Sequence, residues 1–276
     1  ARSAARFMAA QLGEAVGATV GYRVRMDTKA GPRTRIEVVT EGVLTRMLQE
    51  DPSLEGVGLL IFDEYHERSL QADLGLALSL QAQALFREDL RLLVMSATLA
   101  AAPVARLLGD APVIASEGRQ FPVQTVYRPP ARSGVGAPIE DGVAPVVAEA
   151  LREREGDVLV FLPGMAEILR VERRLRELSE KGDLPAARSA RICPLHGSLP
   201  QEAQDTALAP AGAGVRKIVL ATSVAETSLT VEGVTIVIDS GLSRVSRFSP
   251  RTGMSRLETV PVSIASADQR RGRAGR

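Results

Sequence analysis

The chain of 276 residues is long enough for two domains of ordinary size, and its 45% hydrophobic and 24% charged residues are typical of a soluble globular protein rather than a disordered one. A net charge of +1 excludes a polycation, and no apolar run reaches the roughly 18 residues of a membrane-spanning helix. The single Cys193 excludes an intramolecular disulfide and fits a reducing cytoplasm. Lysine occurs only at positions 29, 181 and 217, so nearly all the positive charge is arginine. Arginine suits bidentate phosphate contacts, although a GC-rich gene gives the same bias.

In chain order, the first residues carry Arg2 and Arg6 among interrupted apolar positions, which is not a signal-peptide core. They read as the middle of a helix. With Gly275-Arg276 at the other end, the chain reads as a segment cut at both ends. A strand pattern over 35–39 leads into Thr40-Glu41-Gly42 and a helix over 43–49. Gly58 to Phe62 has the pattern of a short buried strand ending in two acids, and 70–86 has helical spacing. A second buried strand, 91–95, ends in Ser96-Ala97-Thr98, and 113–115 and 123–127 are further strand candidates. Pro129, Pro130, Gly134 and Gly136 mark a linker over 128–137.

The pattern then restarts. Val158 to Leu162 is a strand stopped by Pro163-Gly164. The next segment places Met165, Ile168, Leu169, Leu175 and Leu178 on one helical face. Strands are predicted at 218–221 and 235–238. Two consecutive strand-helix series imply an α/β fold of two tandem domains with mostly parallel sheets, over 1–127 and 128–276. In such sheets ligands bind at the carboxyl ends of strands, where Asp63, Glu64, Ser96 and Thr222 fall.

Four strings carry chemistry. Asp63-Glu64-Tyr65-His66 puts two carboxylates after an apolar strand. One acid can hold Mg²⁺ and the other can orient or deprotonate an attacking water. A solvated acid pair is the plainer alternative. His66 stands at an offset suited to linking such a site to a second domain, though a lone histidine is more often structural. Ser96-Ala97-Thr98 offers two hydroxyls to His66 or to backbone, or simply caps a helix. The run 221–230 crowds short hydroxyls after a strand, where they can contact phosphates or start a capped helix. Gln269 to Arg276 supplies four arginines and two glycines, suited to charge on a transferring phosphate. The alternative is a basic nucleic-acid patch, most plausible for Arg270 and Arg271. Thr40 can cap the helix that follows it, and the N–H groups there can bind a phosphate. No G-x-x-x-x-G-K-[ST] phosphate loop occurs in these residues.

Together these strings resemble DEAH-box helicases of superfamily 2 over essentially the whole chain. The resemblance extends to A-R-S-A-A-R-F-M-A-A (1–10), V-G-Y-R-V-R (20–25), V-V-T-E-G-V-L-T-R-M-L (38–48), E-G-R-Q-F-P-V (117–123), V-L-V-F-L-P-G (158–164), L-H-G-S-L (195–199) and F-S-P-R-T-G-M (248–254). It implies RecA-like domains, the first lacking its phosphate-loop unit, and ATP and Mg²⁺ as cofactors. Asp63 and Glu64 would then be the Mg²⁺ and water-activating acids. His66, Ser96 and Thr98 would couple hydrolysis to domain movement. Gln269, Arg273 and Arg276 would face the γ-phosphate. Ser228 and Thr230 would sense the nucleotide and Glu232 would lie near its ribose or base. Arg2, Thr40, Glu41, Gly42 and Thr222 would hold the backbone of single-stranded RNA, with DNA not excluded. Tyr65 stands where the family name has Ala, as in a bacterial subgroup with an aromatic there, and Glu232 where many relatives have Asp. The rival reading is a non-enzymatic nucleic-acid-binding or scaffold protein without a phosphate loop.

Overall fold

The computed structural model describes all residues except 97–101, 117–120, 129–137, 185–189, 213, 227–230 and 276, together with the side chain of Gln201. The chain divides into two compact units, Ala1–Ser116 and Glu117–Arg276.

The first unit runs α1 (Arg2–Gln11), β1 (Val20–Val24), β2 (Asp27–Lys29), β3 (Ile36–Val39), α2 (Glu41–Glu50), β4 (Leu59–Phe62), a 3-10 turn (Tyr65–Glu67), α3 (Leu70–Leu85), β5 (Arg91–Val94) and α4 (Ala102–Leu107). One sheet has the order β2-β1-β3, antiparallel at β1–β2 and parallel at β1–β3. Ala5 and Ala9 share a face of α1 and are small enough to bring it close to Val20 and Tyr22 of β1. Strands β4 and β5 form a parallel pair with Phe62 opposite Val94. Helices α2 and α3 pack together over Phe62, where Leu44 and Leu48 of α2 meet Ala72 and Leu76 of α3.

The expectation of two fully buried strands fails here. Only Phe62 of these strands is buried. Leu59, Ile61 and Leu93 are 49%, 52% and 44% exposed. Side chains alternate across a strand, so the cluster around α2 and α3 takes Leu60, Phe62 and Val94, while Leu59, Ile61 and Leu93 fall on the opposite face. The candidate strands at 113–115 and 123–127 also fail: both segments are described and neither is paired. Val113, Ile114, Val126 and Tyr127 are exposed, so their apolar pattern finds no sheet to enter.

The second unit follows the expected alternation: α5 (Ile139–Glu153), β6 (Asp157–Phe161), α6 (Met165–Glu180), β7 (Ala190–Leu195), α7 (Gln201–Leu208), β8 (Arg216–Ala221), β9 (Val234–Asp239), β10 (Leu242–Ser249), β11 (Met254–Pro261) and α8 (Ile264–Gly272). The sheet order β7-β8-β6-β9 is parallel throughout. Its period of two separates two cores. Val158, Val160, Ile218 and Leu220 pack with α5 and α6, while Leu159, Phe161, Val219 and Ala221 pack with Ala207 of α7. The buried stripe of α6 is Ile168, Val171 and Leu175, with Leu178 partly buried. Met165 and Leu169 are about half exposed, a correction to the predicted face: a stripe through 168, 171 and 175 leaves them at its edge. Strands β10 and β11 form an antiparallel hairpin that sequence reading did not place. No helix among the described residues is long and apolar enough to cross a membrane.

Candidate functional site

The acids sit where two parallel strands end together. Met95 N–H donates to Phe62 O at 2.8 Å, and Tyr65 N–H donates to Met95 O at 3.0 Å. This extends the ladder past β4 and β5 and brings Asp63, Glu64 and Ser96 out at one edge. Asp63 is exposed, and its Oδ1 accepts from Glu64 N–H at 2.9 Å. Glu64 turns through the left-handed region at φ 50°. That conformation costs a non-glycine residue about 1–2 kcal/mol and persists only where neighbours impose it.

Tyr65 imposes it. Its ring is buried edge-on against Phe62, 6.4 Å between centroids, and its hydroxyl donates to Asp73 Oδ1 at 2.8 Å. Arg68, itself at φ 48°, lies over the same ring at 5.4 Å and donates to Asp73 Oδ2 at 2.8 Å. Burial, and then the bond to Asp73, push the Tyr65 hydroxyl above its ordinary pKa. The Arg68 and Tyr65 hydrogen bonds hold Asp73 below the usual carboxylate range. The aromatic at position 65 is therefore the anchor of the turn. His66 lies inside it, with a side chain 5% exposed and Nε2 3.5 Å from Glu64 Oε2.

Asp63 and Glu64 suit Mg²⁺, a hard cation commonly held by one or two carboxylates with phosphate oxygens and water. No group of three or more potential metal-binding side chains occurs among the described residues.

The other predicted residues of this unit lie on different elements. Thr40 is the N-cap position of α2, but its side chain makes no capping hydrogen bond, and the helix starts at Glu41 rather than Val43. Gly42 is exposed, and a Cβ there would meet nothing within 4 Å. Glu41 Oε2 accepts from Ser69 Oγ at 2.5 Å, and Ser69 in turn caps α3. Glu41 thus ties two helix starts together. Arg2 opens α1 and pairs with Asp27 at 2.8 Å, half exposed.

In the second unit, Thr222 follows β8. Its N–H donates to Leu195 O at 3.3 Å, and its side chain makes no cap bond to the 3-10 turn Ser223–Ala225. Glu232 is exposed ahead of β9. Gln269 is half-buried on α8. Arg273 lies just past α8, in a 3-10 turn, and is 5% exposed. Its Nε and Nη2 donate to Glu226 O at 2.9 and 2.6 Å. Gly275 packs so tightly that a Cβ there would lie 2.8 Å from Phe121 O. Thr98, Ser228, Thr230 and Arg276 lie outside the described residues.

One sequence alternative is corrected. Arg270 is no surface patch: its side chain is 1% exposed and pairs with Glu226 at 3.0 Å and Asp239 at 2.8 Å. It also donates to Leu242 O and lies 4.9 Å from the centre of the Phe161 ring. Sequence reading missed Glu226 and Asp239 as its partners. Asp239, directly after the predicted strand 235–238, was the one available signal. Arg271, its neighbour, is exposed and pairs with Asp268 at 3.1 Å.

Comparison with known proteins adds the following. The DEAD/DEAH box helicase family matches residues 2–107, and the helicase conserved C-terminal domain matches 143–276. The chain is 52% identical over its whole length to an ATP-dependent RNA helicase HrpB of Escherichia coli, of which it covers 33%. It is 38% identical to an ATP-dependent RNA helicase HrpA of Borreliella burgdorferi, of which it covers 32%. A crystal structure of the Escherichia coli DEAH/RHA helicase HrpB superposes on the whole chain with a TM-score of 0.90 at 51% identity, 34% of that chain being covered. The chain thus spans about a third of the length of the curated relatives it matches.

Proposed function

This chain belongs to the DEAH-box helicase family, and we propose that it supplies the two-domain motor of an ATP-dependent RNA helicase. The observation that carries this reading is the cluster of Asp63, Glu64, His66 and Ser96 at the ends of two parallel strands, fixed by the buried Tyr65. In this reading the two units act as the moving parts, with the boundary at 116/117 rather than at the expected 127/128.

Glu64 takes a proton from the attacking water, and its left-handed backbone presents the carboxylate beside Asp63. His66, held 3.5 Å from Glu64 Oε2, and Ser96 with Thr98 report the state of that carboxylate to the rest of the chain. Asp63 with Glu64 would hold Mg²⁺, which would supply positive charge to the phosphate oxygens. Gln269, Arg273 and Arg276 stabilise charge on the transferring group, and Ser228, Thr230 and Glu232 contact the nucleotide. Arg2, Thr40, Glu41, Gly42 and Thr222 follow the backbone of single-stranded RNA. The start of α2 carries no side-chain cap, which favours phosphate there, and binding of this kind is largely independent of sequence. We place the protein in the cytoplasm, in keeping with its single cysteine. The test is ATP turnover by the whole protein with and without single-stranded RNA. Stimulation by RNA supports the proposal; RNA binding with no ATP turnover supports a scaffold instead.

A further inference from the structure

The turn that carries Glu64 and His66 is strained at both ends. Glu64 enters it at φ 50° and Arg68 leaves it at φ 48°. Between them Glu67 N–H donates to Glu64 O at 2.9 Å and Arg68 N–H to Tyr65 O at 3.2 Å. Left-handed residues other than glycine persist only where their surroundings over-determine them. The entry is tied to β5 by the bond from Tyr65 N–H to Met95 O, and to β4 by the Tyr65 ring against Phe62. The exit is tied to the entry by one carboxylate. Asp73 Oδ1 accepts from the Tyr65 hydroxyl at 2.8 Å, and Asp73 Oδ2 accepts from Arg68 Nη2 at 2.8 Å. Asp73 stands on rigid ground in the first turn of α3. Its N–H donates to Ser69 O at 3.0 Å, and its helix neighbours Ala72 and Leu76 are buried in the cluster around Phe62. The Arg68 and Asp73 side chains are 62% and 40% exposed, so their ion pair adds little to the stability of the whole unit. What it decides is local: the backbone conformation that Glu64 keeps, and with it the place of a carboxylate whose Oε2 lies 3.5 Å from His66 Nε2.

We propose that Asp73 is a positioning residue for Glu64, holding the water-activating carboxylate in place through Tyr65 and Arg68. The inference rests on the reading above of Glu64 as the group that takes the proton from water. A catalytic group displaced by about 1 Å loses on the order of a hundredfold in rate. Nucleotide binding does not need the proton acceptor and is spared. A plain structural brace would lower stability without separating the two.

The experiment uses the whole protein at saturating single-stranded RNA, with radiolabelled ATP for turnover and a non-hydrolysable ATP analogue for binding. Asp73→Asn keeps the shape but offers one oxygen where two donors are aimed at separate oxygens. Tyr65→Phe keeps the buried ring and removes one of the donors. In both variants kcat is expected to fall on the order of tenfold, with KM and analogue affinity within about twofold of the parent. Added to Glu64→Gln, neither substitution should lower the residual rate further, because the group they position is already gone. Parent kcat in both variants, with only a lowered melting temperature, overturns the inference. An equal fall in the parent and in the Glu64→Gln background overturns it too, since the effect then does not pass through Glu64. If Asp73→Asn does not fold, Tyr65→Phe decides alone on the same two readouts. Turnover near the parent rate in Glu64→Gln removes the reading of Glu64 and this inference with it. An inactive Glu64→Gln beside unchanged Asp73→Asn and Tyr65→Phe removes only this inference.

Discussion

Arg270 and Arg271 are adjacent and chemically identical, yet the structure assigns them opposite weights. Arg270→Ala removes ion pairs at 3.0 and 2.8 Å, a bond to Leu242 O at 3.2 Å and a contact over Phe161. It leaves two carboxylates, only 13% and 22% exposed, without their cation. Removing one partner of a buried ion pair costs about 3–5 kcal/mol, because the remaining charge stays poorly solvated. For a unit of this size that is a fall of about 10 °C in melting temperature. Arg271→Ala removes a pair whose side chains are 53% and 58% exposed, worth less than about 1 kcal/mol. Urea unfolding of the two variants, followed by circular dichroism, measures the difference. Equal midpoints would refute the assignment of Arg270 as the buried hub and return it to the surface patch.

Tyr65→Phe should destabilise the first unit by about 1 kcal/mol, from the lost bond to Asp73, as read by urea titration. The same pair sets a pH dependence. Asp73 has a lowered folded pKa, so its contribution is present above the ordinary carboxylate pKa of about 4 and is lost as pH falls through the lowered value. Tyr65→Phe removes one of the two causes, so the variant should lose less stability than the parent over that acid range. Gly275→Ala places a Cβ 2.8 Å from Phe121 O and should cost about 1–3 kcal/mol, visible as a lower thermal midpoint. The purified chain of 276 residues should show no RNA-stimulated ATP turnover, because it contains no phosphate loop to position the nucleotide.

In the second unit β6, β8 and β9 were legible because each has an apolar run at its centre and both faces of the sheet are buried, whereas β7, interrupted by Arg191 and Pro194, and the polar hairpin β10–β11 were not. The first was less so. Leu59, Ile61 and Leu93 look like core residues in sequence, since a run of apolar residues does not say which face a helix covers. Val113 to Ala115 and Val123 to Tyr127 have strand composition, but pairing depends on a neighbour that local sequence does not specify. The acid strings of the candidate site were readable because their chemistry is local. The roles of Tyr65 and Glu226 were not. Tyr65 depends on how the turn folds back on Phe62 and Asp73, three and eight residues away, and Glu226 on Ser266, Arg270 and Arg273, 40 or more residues away, although the acids and arginines themselves were in plain view. The spacing of Arg273 and Arg276, three apart, would put both on one face of a continued helix. The helix instead ends at Gly272, and a 3-10 turn begins at Arg273.

The most direct measurement is ATP binding and hydrolysis by the whole protein with Glu64→Gln, at saturating single-stranded RNA. The amide keeps the shape of the side chain and its place next to Asp63 and His66 but cannot accept the proton of the attacking water. The account predicts that labelled ATP binds with affinity near that of the parent while phosphate release is abolished. Turnover near the parent rate in this variant would contradict it, because Glu64 would then not be the group that activates water.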